Sequence, residues 1–201
     1  MRTCINAFRC AARFANDAGW SASELCFLTD QYTVNARVNI DTVELELPGP
    51  NSSSLGPVSL PSGSPAMVGY PIFSGDPHLV VELVPETFSE IDFIEAARPL
   101  RWWNGVSSAG SNVHFVARRP GEWLIRSYER GVEDETLACG SGCMAAARAL
   151  THPSSGSVLA RFRTKGGDSI SVHVSSGLWR VSGPARLVFT GSFYWPSEHV
   201  N

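Results

Sequence analysis

The chain has 201 residues, of which 43% are hydrophobic, so it is long enough to bury a core in one large or two small domains. A formal net charge of −3 gives no electrostatic case for binding nucleic acid or an anionic membrane surface. The five cysteines are odd in number and lack metal-ligand spacing, and no apolar run is long enough to span a bilayer. We therefore expect a cytoplasmic protein with free thiols, without a metal and without nucleic-acid or membrane partners.

The first 65 residues predict one helix, a series of strands and a loop. Apolar side chains recur on one face of residues 9–20, as in an amphipathic helix. Residues 23–29 form a short apolar run and residues 32–47 alternate between apolar and polar side chains, which is typical of strands. Residues 48–65 are rich in proline, serine and glycine, and predict a loop or a link between two halves. A loop that gates substrate entry is the alternative.

The remaining residues predict strands with two helical segments among them. Helical patterns cover residues 86–99 and 139–150. The predicted strands are residues 78–84, 112–117, 123–128, 158–164, 169–174, 178–181 and 185–193. This order of elements predicts an α+β fold with mostly antiparallel strands.

A cysteine stands where the second helical segment should begin. The run Cys139-Gly140-Ser141-Gly142 follows an acidic, turn-prone stretch and precedes an alanine-rich segment of high helix propensity. Free N–H groups and the positive end of the helix dipole lower the pKa of a thiol, so we expect a reactive Cys139. A buried structural cysteine beside a glycine turn is the alternative.

The beginning of the chain contains a weaker copy of the same pattern. Cys4 is followed by a short polar turn and an Ala/Arg segment, as Cys139 is. Two such units suggest a duplicated fold. If the halves face each other, one thiolate can remove a proton from a carbon while the other thiol delivers one to the opposite face. This is the minimal apparatus for inverting a stereocentre.

These motifs, with Glu129-Arg130-Gly131 and a closing Gly-Pro-Ala-Arg-Leu-Val-Phe-Thr-Gly run at residues 183–191, resemble the diaminopimelate epimerase family. The resemblance implies a cofactor-independent two-cysteine epimerase or racemase that acts on an amino-acid-like small molecule. It also implies two pseudo-symmetric halves, each a curved, mostly antiparallel sheet around a central helix. We expect residues 1–66 to form a partial N-terminal half, 67–190 the C-terminal half, and 191–201 a strand that returns to the N-terminal half.

The resemblance implies roles for individual residues. Cys4 and Cys139 align with the two catalytic bases, and backbone N–H groups of Gly140 and Ser141 should bind the substrate α-carboxylate. Arg130 should clamp a distal carboxylate and Glu129 should accept from a distal ammonium. The remaining substrate-binding positions by resemblance are Asn6, Asp76 and Asn112. A surface Glu129–Arg130 pair and a turn-forming Asn112 are the structural alternatives. His78 is expected to make structural hydrogen bonds.

Three departures from the family pattern affect the expected function. Ile5 and Ala7 replace glycines after the first cysteine, and Asp76 replaces an asparagine, which would repel a carboxylate and attract an ammonium. The family's opening strands are missing, so we expect an incomplete N-terminal half and a homodimer or a partner chain that completes it. The alternatives are a non-catalytic partner subunit of this fold and a proton-shifting isomerase that uses Cys139 alone.

Overall fold

A computed structural model describes residues 4–49, 56–66, 68–150, 157–175 and 177–194. Its helices are α1 (Ile5–Asp17), α2 (Pro85–Glu90), α3 (Phe93–Arg101) and α4 (Gly140–Leu150). The strands of the first part are β1 (Glu24–Leu28), β2 (Thr33–Val38), β3 (Val43–Pro48), β4 (Val58–Ser59), β5 (Val68–Ser74) and β6 (Asp76–Leu83). The later strands are β7 (Asn112–Arg119), β8 (Glu122–Glu129), β9 (Asp134–Thr136), β10 (Ser157–Arg163), β11 (Ser169–Ser175) and β12 (Leu178–Gly183).

The strands of the described residues form one large curved sheet, in an α+β fold as the sequence predicts. The strand order is β1-β2-β3-β12-β11-β10-β8-β7-β6-β5-β4, and β9 pairs with β8. Most neighbours are antiparallel, whereas the β6–β7 and β8–β10 pairs are parallel. Alternation along β2 and β3 turns Val34, Ala36 and Leu45 inward, because successive strand residues point to opposite faces.

Two central helices pack against one face of this sheet. Helix α1 lies against β2 and β3, and α4 lies against β5, β6, β7, β10 and β11. Ile5 and Ala12 lie seven residues apart on α1, so they share the buried face of the helix. Alanines occupy four of the 11 positions of α4, and small side chains of this kind let the helix lie close to the surrounding strands. The two helices contact each other near their first turns.

A second core lies on the outer face of the sheet. Helices α2 and α3 form the crossover between the parallel strands β6 and β7, and they pack against β7 and β8. Strand β6 is therefore covered on both sides: Val80 belongs to the inner core, and Leu79 and Val81 belong to the outer core with Phe93. Burial on both faces explains why β6 reads as a continuous apolar run rather than an alternating strand.

Strand β12 joins the late part of the chain to the early part. It pairs with β3 from Leu178↔Pro48 to Gly183↔Val43, and Arg180 forms an ion pair with Glu46 across this junction. The sheet is thus continuous across the expected boundary at residues 66 and 67, and the division into halves stays a prediction. Residues 195–201 lie outside the described residues, as do residues 50–55 of the predicted loop.

The predicted strand at residues 185–193 is wrong. Residues 184–194 form no helix or strand, although their sequence is apolar enough for one. Ala185 belongs to the inner core, but Leu187, Val188 and Phe189 expose 70%, 85% and 79% of their surface. No sheet or core covers these three side chains within the described residues. A strand needs a neighbour for its backbone groups, and the apolar pattern alone does not supply one.

Two predicted helices have different limits in the structure. The first begins at Ile5 rather than at residue 9, because Ile5 is buried against the start of α4. The second is divided into α2 and α3 at residues 91 and 92. There the Asp92 side chain accepts a hydrogen bond from the backbone N–H of Glu95 at 3.2 Å, which caps α3 and starts it in a new direction.

Candidate active site

The first turns of α1 and α4 meet at a cavity of about 180 Å³. All nine residues with an expected site role line it, and Ile5 is the tenth lining residue. The lining residues are Cys4, Ile5, Asn6, Asp76, Asn112, Glu129, Arg130, Cys139, Gly140 and Ser141. These residues come from five separate parts of the chain, and the sheet brings them together because both central helices begin at the same edge of the molecule.

Cys139 immediately precedes α4, and its carbonyl accepts the first helical hydrogen bond, from the N–H of Cys143 at 3.0 Å. Its Sγ lies 3.5 Å from Oγ of Ser141, and the Gly142 N–H also points at the thiol. Only 4% of the Cys139 surface is exposed. The side chain is therefore held in a fixed position at the wall of the cavity.

The expected low pKa of Cys139 is wrong for this structure. Burial raises the pKa of the thiol well above its ordinary value, and the nearby charge of Glu129 acts in the same direction. The hydrogen bonds from Ser141 and Gly142 lower it, but their effect is smaller than that of burial. A thiol that has lost its water stays protonated at neutral pH, so Cys139 is a thiol rather than a thiolate in this structure. The prediction from the sequence considered the hydrogen-bond donors at the start of the helix, but it did not consider the loss of water around the buried thiol.

Cys4 occupies the corresponding position before α1 and is exposed. Its carbonyl accepts from the N–H of Phe8 at 3.2 Å, and its side chain makes no capping hydrogen bond. The neighbouring Ile5 is buried: a side-chain carbon added to Gly140 would lie 2.7 Å from Cβ of Ile5. The branched side chain that departs from the family pattern therefore packs on the bare backbone of Gly140, and α1 can approach α4 closely only because residue 140 is glycine.

Asn6 ties the two helix starts together. Its Nδ2 donates to the carbonyl oxygen of Ala138 at 2.9 Å, and its Oδ1 accepts from Nη2 of Arg9 at 2.7 Å. Ala138 is the residue before Cys139, so Asn6 fixes the distance between α1 and the second cysteine. Arg9, which also belongs to α1, is itself buried. The structure thus places the Asn6 amide in the cavity wall and gives it a structural role besides the expected contact with substrate.

The Asp76–Arg130 ion pair forms another part of the cavity wall. Nη2 of Arg130 lies 2.5 Å from Oδ1 of Asp76, with only 15% and 23% of the two side chains exposed. The N–H of Arg130 donates to Oδ1 of Asn112 at 2.8 Å, which holds the backbone at this point. Asn112 lies at the start of β7, so the turn-forming alternative is wrong.

The other alternative, a surface ion pair between Glu129 and Arg130, is also wrong. Arg130 pairs with Asp76, and Oε1 of Glu129 accepts from Oγ1 of Thr136 at 2.5 Å. Glu129 points towards the thiol end of the cavity, where its charge raises the pKa of Cys139. The Asp76–Arg130 pair was not expected from the sequence, because 54 residues separate the two side chains.

A chain of buried polar side chains lies directly beneath α4. Nδ1 of His78 is 2.9 Å from Nε2 of His114, and Nδ1 of His114 is 2.9 Å from Oγ of Ser127. A side-chain carbon on Gly142 would lie 2.3 Å from the His114 ring, so the first turn of α4 rests on that imidazole. His78 has the expected structural hydrogen bond. Sequence reasoning missed His114, although it lies two residues after Asn112 and therefore on the same face of β7.

The sequence comparisons identify relatives of the chain. No family model matches it. A protein named diaminopimelate epimerase from Hydrogenobaculum sp. (strain Y04AAS1) is 30% identical over 191 residues, which cover 94% of this chain and 69% of the relative. A second, from Aquifex aeolicus (strain VF5), is 31% identical over 198 residues, covering 94% of this chain and 68% of the relative.

The chain belongs to the diaminopimelate epimerase family. Membership of the family places it among the isomerases, as the resemblance of the Cys139 motif implied. The matched residues extend over nearly the whole chain.

Solved structures agree with this family membership at the level of the fold. A phenazine biosynthesis protein of the PhzF family from Enterococcus faecalis matches with a TM-score of 0.66 and 17% identity, over 97% of this chain and 74% of that protein. A hydroxyproline epimerase from Agrobacterium vitis, with bound trans-4-hydroxy-L-proline, matches with a TM-score of 0.59 and 13% identity, over 88% of this chain and 62% of that protein. This chain therefore shares its fold with a PhzF-family protein and with a hydroxyproline epimerase.

Metal clusters and membrane-spanning helices are absent from the part of this family member that the structure describes. Across the described ranges, no group of three His, Cys, Asp or Glu side chains is arranged to hold a metal ion. In the same ranges, no helix is long and apolar enough to cross a membrane.

Proposed function

We propose that this chain is a cofactor-independent epimerase or racemase that inverts the α-carbon of an amino acid, with Cys4 and Cys139 as its two bases. One observation carries the proposal: the two thiols precede the two central helices and line the same cavity. Two proton-transfer groups on different helices are what a reaction needs when it removes a proton from one face of a carbon and adds one to the other.

The proposed reaction begins with a Cys4 thiolate and a Cys139 thiol. The thiolate takes the α-proton, so that the Cα–H bond breaks, an S–H bond forms and the electron pair is delocalised into the α-carboxylate. Cys139 then gives its proton to the opposite face of the carbon and becomes the thiolate. The raised pKa of Cys139 supports its assignment as the initial acid. The reverse direction exchanges the two roles.

The start of α4 supplies the electrostatic part of the proposal. Gly140 and Ser141 begin an 11-residue helix, and their backbone N–H groups have no partner within the helix. Such donors, with the positive end of the helix dipole, stabilise the charge that develops on the α-carboxylate when the proton leaves. Asn6 keeps the Cys4 side at a fixed distance from these donors through its bond to Ala138.

Solvent-deuterium exchange tests the proposal directly. The protein is incubated in D₂O, without pyridoxal phosphate, with each stereoisomer of diaminopimelate and of a panel of amino acids, and the α-proton is followed by ¹H NMR. We expect loss of the α-proton signal together with inversion for at least one substrate. Exchange without inversion would instead indicate a proton-shifting isomerase that uses one thiol. No exchange with any ligand that binds would indicate a non-catalytic member of the fold.

We also propose that two copies associate through residues 185–194, which run beside α1. Apolar side chains of this segment are exposed, and it forms with α1 a groove of about 400 Å³ that includes Phe14, itself 57% exposed. A second copy brings the same apolar surface to this groove, as a two-fold interface requires.

Sedimentation equilibrium should give a dimer, and Val188→Asp should shift the equilibrium towards monomer. A monomer at every concentration would contradict the proposal.

A further inference from the structure

We infer that the cavity selects amino acids whose side chain ends in a cation, and that Asp76 is the residue that sets this preference. The inference rests on the proposed function, because it names the substrate class of the same site. It starts from the close contact between Asp76 and Arg130, whose carboxylate and guanidinium face the cavity 2.5 Å apart.

Arg130 already has a carboxylate partner. Its Nη2 is occupied by Oδ1 of Asp76, and both side chains are largely buried, so solvent screens the pair only weakly. A ligand that brought a distal carboxylate to Arg130 would meet the Asp76 charge at the same place. Like charges at such a distance repel each other, and displacing Asp76 would separate a largely buried carboxylate from the guanidinium of Arg130. The cavity therefore opposes a second carboxylate on the ligand.

Negative formal charges outnumber positive ones among the residues that line the cavity. Arg130 is the one cation among them, whereas Asp76 and Glu129 are both carboxylates. The α-ammonium and α-carboxylate of an amino acid cancel each other, so they leave the excess negative charge unmatched. A side-chain ammonium or guanidinium near Asp76 would match it. Glu129 contributes from the other side, since its hydrogen bond from Thr136 fixes the direction of its carboxylate.

The size of the cavity agrees with a small ligand. Its volume of about 180 Å³ lies below the roughly 300–1,000 Å³ of pockets that take drug-sized molecules. An amino acid with one short cationic side chain fits this limit better than one that carries an additional hydrated carboxylate.

Binding measurements with three probes test the inference without requiring turnover. Isothermal titration compares L-lysine, its uncharged isostere L-2-aminoheptanoate, and meso-diaminopimelate, which carries a second carboxylate. For the wild-type protein we expect lysine to bind at least about tenfold more tightly than either of the others. Asp76→Asn keeps the shape but removes the charge, so it should weaken lysine binding about tenfold and strengthen binding of diaminopimelate.

The matched control is Asp168→Asn, which makes the same change in a carboxylate that also pairs with an arginine, Arg186, outside the cavity. It should leave all three affinities unchanged. Circular dichroism confirms the fold of each variant, and Asp76→Ala provides a second variant should Asp76→Asn unfold.

The outcomes separate this inference from the proposed function. Equal binding of lysine and its uncharged isostere, tighter binding of diaminopimelate to the wild type, or no binding of any probe at millimolar concentration would overturn the inference. If the rate of exchange at the α-carbon did not depend on the charge of the substrate side chain, the inference would be overturned and the two-base function would remain intact. A lysine preference that depends on Asp76, without any exchange, would uphold the inference and overturn the two-base function.

Discussion

Replacing Cys139 with alanine should slow α-proton exchange by about 10²–10⁴-fold for the stereoisomer whose proton faces α4, because a positioned acid or base contributes that much. The other stereoisomer should still exchange its proton through Cys4, although without inversion. Cys4→Ala should produce the opposite pattern. Exchange in D₂O, followed separately for the two stereoisomers by ¹H NMR, measures both rates.

The chain contains matched thiols for this experiment. Cys26 lies on β1 away from the cavity, and Cys143 lies one turn into α4, where burial raises its pKa to about 12. Cys26→Ala and Cys143→Ala should keep exchange of both stereoisomers. Unchanged exchange in Cys139→Ala would exclude Cys139 from the reaction. If Cys4→Ala and Cys139→Ala each lost α-proton exchange for both stereoisomers, both thiols would be needed to remove either proton. That result would contradict two independent bases.

Acid should destabilise the protein through the histidine pair beneath α4. Burial lowers the pKa of His78 to about 4, and the Arg130 charge adds to this while Asp76 opposes it. Burial also lowers the pKa of His114, and its neighbour His78 acts in the same direction. Well above pH 6.5 both histidines are neutral in the folded and the unfolded states, so they contribute no pH dependence there.

The unfolded chain binds these protons as the pH falls below 6.5, whereas the folded chain does not. Stability therefore rises with pH between about 4 and 6.5 and is lost in the other direction. His78 alone should lower the free energy of unfolding by about 3 kcal/mol at pH 4, and His114 should add to this loss. Urea unfolding between pH 4 and 8 measures the slope.

Carboxylates also titrate at low pH and change the stability of the protein. A double variant separates the contribution of the two histidines from that of the carboxylates. His78→Gln with His114→Gln should flatten the dependence between pH 4.5 and 6.5, even if it lowers stability throughout. His173→Gln, which changes a histidine of β11, serves as the control for loss of an imidazole elsewhere in the sheet. A double variant as acid-sensitive as the wild type would remove the pair as the cause.

Sequence patterns predicted the parts of the site that depend on local chemistry. A cysteine before a glycine turn and an alanine-rich helix is a local signal, and its weaker copy at Cys4 indicated that two helix starts face each other. All nine expected residues line one cavity. Their roles in binding and catalysis stay predictions.

The sequence-based predictions that were wrong concern properties that depend on the three-dimensional surroundings of a residue. The pKa of Cys139 is governed by burial, which a tetrapeptide does not reveal. The pairing of Arg130 with Asp76 depends on how the starts of β6 and β7 lie beside the end of β8. Residues 185–193 have the composition of a strand but no neighbouring strand within the described residues.

The bond between Asn6 and Ala138 has a consequence for the order of folding. It joins residues 132 positions apart, and closing a flexible loop of that length costs roughly 4 kcal/mol of entropy before any contact compensates for it. Local pairs such as β7–β8 close much shorter loops, so they form early, and contacts of long sequence separation slow the final steps. The pairing of β12 with β3 belongs to the same late group. We therefore expect the two thiols to come together late in folding, so that the cavity is among the last features of the molecule to form.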